Sequence, residues 1–143
     1  MNTIANTFVP CASRRLALGL VMAAASLASS AASAQNFDAR GLARTETLRH
    51  DLDRKTEAVQ VRVDFAPGVL APRHSHPGVE IAYVLNGTIE YEMNGKTIVL
   101  KAGESLFIPA GAVHSARNVG TGVSAELATY LVEKNKPIVV LDK

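Results

Sequence analysis

Three of the four histidines in this 143-residue chain fall within one stretch, 68–118. His74 and His76 stand two residues apart in a region that we interpret as a strand, and alternate residues of a strand share one face. Glu80 follows after a Pro-Gly turn, and His114 comes later, after a second turn rich in Pro and Gly. Three imidazoles and a carboxylate are ligands that divalent transition metals accept. The stretch therefore predicts a metal site formed by His74, His76, Glu80 and His114.

The spacing of these residues forms two motifs. From Gly68 to Gly87 the chain reads G-x5-H-x-H-x3-E-x6-G, and from Gly103 to Asn118 it reads G-x5-P-x-G-x2-H-x3-N. Both motifs resemble those of the cupin superfamily, with every position filled and 15 residues between them. The resemblance implies an all-β double-stranded β-helix, the cupin or jelly-roll barrel, with a metal at its mouth. It implies no single reaction, because cupins include oxygenases, decarboxylases, isomerases, lyases, sugar-binding regulators and storage proteins.

Residues 1–34 have the pattern of a secretory signal peptide. Arg14 and Arg15 precede an apolar run over 16–28, and Ala32-Ser33-Ala34 is a small-residue cleavage site before Gln35. The run is shorter than the ~20 apolar residues that span a bilayer, so we expect cleavage and no stable membrane anchor. We therefore expect a periplasmic or secreted protein whose mature part, 35–143, is a single cupin barrel domain. The Arg pair leaves open whether export uses the general or the twin-arginine route.

Charge and cysteine content exclude some classes of function. Removal of Arg14 and Arg15 from the 15 basic residues leaves 13, which balances the 13 acidic residues. A neutral balance argues against a nucleic-acid partner, since such a surface needs excess positive charge. The single cysteine, Cys11, lies in the segment expected to be removed, so the mature domain should contain neither a disulfide nor a thiol nucleophile.

Hydrophobic alternation and turn residues predict eight to ten short strands and no helix in the mature domain. Asn94-Gly95 predicts a two-residue hairpin turn, because both positions of that turn need positive φ. Both faces of the strand over 80–85 are apolar, so we expect a homodimer partner to cover the outer face. The predicted strands span 44–51, 59–65, 69–76, 80–85, 88–94, 97–100, 105–108, 124–132 and 138–141.

Several residues around the predicted site have two open interpretations. Arg73 and Arg117 alternate away from the metal and leave open a role in anion binding at the rim. His50 lies outside both motifs and is expected to be exposed. Four large side chains either line a pocket or simply fill the core: Phe65, Tyr91, Met93 and Phe107.

The ligand set predicts one divalent transition metal ion per chain. Nitrogen and oxygen donors without a thiolate favour Fe or Mn, with Ni or Zn possible. An ion with an open position suits an enzyme that binds a small organic substrate, either dioxygenase-like or an isomerase, lyase or cyclase. Glu80 would then be catalytic, leaving the ion to act as a base. The alternative is a non-catalytic cupin that binds or senses a small ligand or a metal, because no separate general base stands out.

Overall fold

The structure is a computed structural model and describes residues 36–143. Ten strands and no helix occur within this range. Their bounds are β1 (Leu42–Asp51), β2 (Thr56–Phe65), β3 (Leu70–Ser75), β4 (Val79–Asn86), β5 (Thr88–Met93), β6 (Lys96–Lys101), β7 (Ser105–Ile108), β8 (His114–Asn118), β9 (Ser124–Glu133) and β10 (Val140–Leu141).

Strand pairing is nested around the turn between β5 and β6. β5 pairs with β6, β4 with β7, β3 with β8 and β2 with β9, all antiparallel. Successive pairs alternate between two five-stranded sheets, which have the strand orders β1-β2-β9-β4-β7 and β10-β3-β8-β5-β6. This alternation winds one long hairpin into a double-stranded β-helix. The predicted all-β cupin or jelly-roll barrel is therefore confirmed.

The innermost turn has the geometry that its sequence predicts. Asn94 and Gly95 have φ angles of 52° and 72°, as a two-residue turn between right-twisted strands requires. Met93 and Lys96 are the residues paired across it. The pairs β4–β7, β3–β8 and β2–β9 are nested outside this hairpin, which is therefore the centre of the strand arrangement.

The core lies between the two sheets. Inward-facing residues of β2, β3, β4, β5 and β8 form one buried cluster, to which β1 adds Leu42. Tyr91 and Phe65, predicted either to line a pocket or to fill the core, are both buried. The buried cluster comprises Leu42, Val63, Phe65, Ala71, Ala82, Val84, Ile89, Tyr91 and Ala116.

Asn118, the last residue of the second motif, joins the end of β8 to two loops. Its side chain is fully buried, and its Nδ2 lies within 2.8–3.1 Å of the backbone carbonyls of Phe65, Ala66 and Gly122. Its Oδ1 accepts hydrogen bonds from the Gly120 amide and the Ser124 hydroxyl. The motif asparagine is thus a structural residue that satisfies buried backbone groups.

Three predictions about the strands were wrong. The sequence pattern missed β8, which is only five residues long. The strand predicted over 69–76 ends at Ser75, so His76 lies just beyond it. Phe107 does not line the interior but is 58% exposed. It pairs with Ile81 of β4, while its neighbours in sequence pair with the inward-facing Glu80 and Ala82, so alternation turns Phe107 outward.

The predicted signal peptide lies outside the described residues, so cleavage and export stay predictions. Within 36–143, no helix is long and apolar enough to cross a membrane.

Candidate metal centre

Three strands of the barrel bring the predicted ligands together. His74 on β3 is paired directly with His114, the first residue of β8. His76 follows the end of β3, and Glu80 lies at the start of β4, which belongs to the opposite sheet. All four side chains are buried. The site therefore forms where the two sheets approach each other at one end of the barrel.

The three imidazoles surround one point. A ligand nitrogen from each of His74, His76 and His114 lies within 4.8 Å of the other two. Oε2 of Glu80 is 2.8 Å from Nε2 of His76 and 3.4 Å from Nε2 of His114. Such spacing lets the three histidines hold a metal ion, with the carboxylate next to two of them.

Backbone carbonyls set the tautomer of every ring. A carbonyl oxygen only accepts, so each Nδ1 carries the ring hydrogen and each Nε2 of a neutral ring keeps its lone pair. Metal-binding histidines commonly have this arrangement. The Nδ1–carbonyl contacts are His74 with Pro72 at 2.7 Å, His76 with Ile138 at 2.6 Å and His114 with Ala112 at 3.0 Å.

Two buried polar atoms of the site lack a hydrogen-bond partner. They are Nε2 of His76 and Oε2 of Glu80. Because Nδ1 of His76 already donates its hydrogen to Ile138, both atoms are acceptors, and they lie 2.8 Å apart. Unpaired buried acceptors are costly, and two that face each other repel unless a cation lies beside both. The residues of this site therefore fit a metal ion.

Burial and neighbouring charges shift the pKa values of the ionisable groups in the site. Burial lowers the pKa of His74 to about 4, so this ring is neutral near pH 7. Burial alone would also lower the pKa of His114, but the neighbouring Glu80 carboxylate and the Ala112 carbonyl raise it overall. Burial would raise the pKa of Glu80, whereas the neighbouring His114 ring lowers it overall. Glu80 is therefore the anion of the site, and a proton competes with a metal more strongly at His114 than at His74.

The structure adds to the site one residue that the sequence did not assign, Glu126, and pairs it with Tyr91. Glu126 of β9 is buried and accepts a short hydrogen bond from the hydroxyl of Tyr91. Burial, together with the nearby charge of Glu80, raises the pKa of Glu126 to about 8. Burial also raises the pKa of Tyr91. A carboxyl group that holds its proton near pH 7 therefore lies beside the histidines.

Alternation along β9 contained a signal for Glu126. Its inward-facing positions otherwise carry small, aromatic or aliphatic residues, namely Ser124, Ala128, Tyr130 and Val132. A glutamate in such a series must find a buried partner, which makes it a candidate site residue. The partner could not be identified locally, because Tyr91 lies 35 positions earlier in the chain.

Two connected cavities lead to the histidines. The inner cavity, of about 20 Å³, is lined by polar groups of His74, Glu80, His114, Glu126 and Arg44, together with apolar residues. This volume holds about one water-sized ligand. An outer cavity of about 360 Å³ shares His74, Arg44 and Val139 with the inner one and is otherwise lined by Arg40, Pro72 and Leu141.

The sequence left open whether Arg73 and Arg117 bind an anion at the rim of the site, and neither lines the two cavities. Arg73 is exposed and forms ion pairs with Glu92 and Asp142, at 3.0 and 3.2 Å. Arg117 and His50 are exposed, as the sequence predicts. The arginine that lines both cavities is Arg44 of β1.

The sequence model of the cupin domain matches residues 61–132 of this chain, a range that includes all four predicted ligands. The chain belongs to the cupin family. Germin-like protein 3-1 of Oryza sativa subsp. japonica is 35% identical over 113 residues, which cover 75% of this chain and 43% of that protein. Oxalate oxidase GF-2.8 of Triticum aestivum is 40% identical over 78 residues, covering 48% of this chain and 35% of that cupin.

A solved cupin structure, recombinant oxalate oxidase in complex with glycolate, aligns with a TM-score of 0.61 and 30% identity. The alignment covers 73% of this chain and 56% of that chain. This chain thus spans less than half the length of the two plant cupins that it matches and little more than half of the solved one. The likeness is to their barrel and not to the whole proteins.

Proposed function

We propose that this cupin is a metal-dependent enzyme that binds a small organic substrate at one divalent transition metal ion. His74, His76, His114 and Glu80 would hold the ion. The observation that carries this proposal is the pair of facing, unpartnered acceptors, Nε2 of His76 and Oε2 of Glu80, inside a ring of imidazoles whose other nitrogens are committed to carbonyls.

The donor set favours some ions over others. Three nitrogens and one oxygen, without a thiolate, suit Fe or Mn first, and Ni or Zn also fit. Such an ion would supply a Lewis-acidic open position and, if redox-active, electron transfer with dioxygen. The inner cavity of about 20 Å³ beside the histidines is where a water or one substrate atom would reach that position.

The protein's own residues would handle protons and exclude water. The Glu80 carboxylate is the charged base of the site, and Glu126 holds a proton at the cavity wall. The hydrogen bond from Tyr91 fixes the orientation of the Glu126 carboxyl group. Two carboxyl groups with pKa values displaced in opposite directions are a common acid–base arrangement. We propose Glu80 as the base and Glu126 as the acid of the reaction.

The named relatives support an oxidation of a small, oxygen-rich substrate. Two are oxalate oxidases by name, and the solved structure holds glycolate. We therefore favour a dioxygen-dependent reaction over the isomerase, lyase or cyclase reactions that the same site could perform. Oxygen uptake by the metal-loaded protein would distinguish the two, because only the oxidation consumes dioxygen.

The second candidate is a cupin that binds a ligand or a metal without converting it. The small volume of the inner cavity favours it, since about 20 Å³ leaves little room for a substrate to change shape at the ion. In that case no dioxygen or organic compound would be consumed, and ligand affinity would follow metal content.

Metal content tests the site itself. Purified protein should carry about one transition-metal ion per chain, and His76→Ala or His114→Ala should lose most of it, because each removes one ligand from a single ion. His50→Ala, an exposed histidine on β1, is the matched control and should keep its metal. Full occupancy by elemental analysis in both site variants would refute the proposal.

We also propose that the protein acts outside the cytoplasm, on the basis of the N-terminal sequence pattern. Protein recovered from a periplasmic fraction should begin at Gln35, within a residue or two. Intact mass spectrometry that finds Met1 in that fraction would instead indicate a retained anchor.

A further inference from the structure

We propose that Arg44 binds a carboxylate of the substrate, so that the site selects small organic acids over neutral compounds. This inference rests on the proposed function, because it names the class of molecule that the metal site takes. Four features of β1 and the cavities support it.

The first feature is the direction of Arg44. It pairs with Val63 across the β1–β2 ladder, and Leu42 pairs with Phe65. Side chains of directly paired residues lie on the same face of a sheet. Val63 and Phe65 both line the inner cavity, so Arg44 lies on the interior face of β1. It follows the buried Leu42 by two residues and shares its face.

The second feature is that the acidic side chains near Arg44 form hydrogen bonds with other groups. Glu46, on the same face of β1, accepts hydrogen bonds from Arg49 at 2.8 and 3.1 Å. Asp38 accepts the backbone amides of Arg40 and Leu42. Among residues 36–143, the Arg44 guanidinium forms no hydrogen bond or ion pair. Its five donors are therefore available to a ligand.

The third feature is the position of Arg44 between the cavities. It lines the inner cavity with His74 and Glu80, and the outer cavity with Arg40. A planar guanidinium at this junction can hold a carboxylate through two parallel hydrogen bonds. The adjacent oxygen of such an acid could then enter the inner cavity toward the histidines.

The fourth feature is charge. Without Arg44, an anion moving inward would approach the Glu80 carboxylate past apolar walls formed by Val139 and Leu141. Arg44 is exposed at the cavity, so its charge acts mainly on a ligand that contacts it directly. An arginine at the junction offsets the negative charge of Glu80 and makes the passage more favourable for an acid.

A simpler role would be that Arg44 only offsets the charge of Glu80. The two roles differ in what they predict for neutral ligands. If Arg44 only compensates charge, its loss would destabilise the whole site and weaken the binding of acids and neutral compounds alike. If Arg44 recognises a carboxylate, its loss would weaken the binding of acids only.

The experiment compares acids with their amides. Metal-loaded wild type, Arg44→Gln, Arg44→Lys and Arg54→Gln are titrated by calorimetry with glycolate, glycolamide, 2-hydroxybenzoate and 2-hydroxybenzamide. Arg54→Gln removes an exposed arginine in the turn after β1 and is the matched control. Metal content is measured on the same samples.

Wild type and Arg54→Gln should bind at least one acid more tightly than its amide. Arg44→Gln should bind that acid about 10- to 100-fold more weakly, with metal content and amide affinity unchanged, as expected when a charge-assisted hydrogen bond is lost. Arg44→Lys should fall between the two, because it keeps the charge but not the planar fork.

Three results would overturn the inference: equal affinity of wild type for acids and amides, no binding of either acid by metal-loaded wild type, or equal losses for acid and amide in Arg44→Gln. A wild type that takes up no metal would overturn the proposed function as well, so metal content separates the two failures.

Discussion

Nδ1 of each histidine in the site donates a hydrogen bond to a backbone carbonyl, so only Nε2 can bind a metal or a proton. The rings of His74, His76 and His114 are oriented by the main chain and do not depend on a metal for their direction. Preorganised ligands lose little conformational entropy when an ion binds. The remaining nitrogens are then free for a metal or for a proton, which makes the site sensitive to pH.

Metal affinity should fall steeply as the pH is lowered from about 8 to about 5, because protons compete for the ligand nitrogens. His114, whose pKa is raised, should lose its metal-binding form first, whereas His74, with a pKa of about 4, competes only in stronger acid. Competition with a chromogenic chelator at a series of pH values would measure this. Affinity that stays constant over the range would contradict a histidine site, and His50→Ala should match the wild-type profile.

Glu80→Gln should separate metal binding from catalysis. The amide keeps the size of the side chain and one ligating oxygen but removes its charge and basicity. We expect partial metal retention, because three histidines remain, and a turnover lowered by about 10² or more, the usual contribution of a general base. Metal content and oxygen uptake would be measured on the same sample with a panel of phenols, flavonols and sugar acids. An unchanged rate at full metal content would leave the ion as the sole catalyst.

At the scale of strands, the two sequence motifs meet because strands β3 and β8, which carry their histidines, are paired. His74 and His114 belong to different motifs but are direct partners in the β3–β8 ladder. Asn118 ends the same strand, and its side chain binds carbonyls at the end of β2 and in the loop after β8. The metal ligands thus depend on the register of this strand pair, which Asn118 helps to hold.

Asn118→Ala should destabilise the barrel by about 2–4 kcal/mol, because one truncation leaves several buried carbonyls without a donor. Asn86→Ala is the matched control. Asn86 is exposed and donates a single hydrogen bond to the Val123 carbonyl, so its loss should cost less than about 1 kcal/mol. Denaturant unfolding of both variants would measure the difference, and equal costs would show that the buried network of Asn118 does not stabilise the fold.

At the scale of the whole molecule, one face of the barrel is apolar and open. The outward side chains of β4 and the edge strand β7 form this face, which consists of Ile81, Tyr83, Leu85 and Phe107. Ile81 and Phe107 are directly paired, so the patch is continuous across the two strands. A continuous exposed apolar patch commonly marks an interface.

We expect this face to pair with a second copy of the chain as a homodimer. Phe107→Glu should then yield a monomer, because it would place two charges inside a desolvated interface. Val99→Glu, at a similarly exposed valine on the other sheet, is the control and should remain a dimer. Light scattering after size-exclusion chromatography would show the masses, and a monomeric wild type would refute the expectation.

The sequence by itself determined the barrel and the identity of the candidate ligands. Motif spacing that resembles that of cupins located His74, His76, Glu80 and His114, and the Asn94-Gly95 turn fixed the central hairpin, because each signal lies within one contiguous segment of the chain. Alternation also predicted that Arg73 and Arg117 face outward, for the same local reason.

Only the tertiary structure decided which distant residues join the site. Nested pairing brings Glu126 to Tyr91, and it brings Arg44 of the first strand to the cavity beside His74. It also turned Phe107 outward, because the register of β7 against β4 sets which face of a short apolar strand is buried. Register between strands far apart in the chain is set by packing of the whole barrel, and no local pattern contains it.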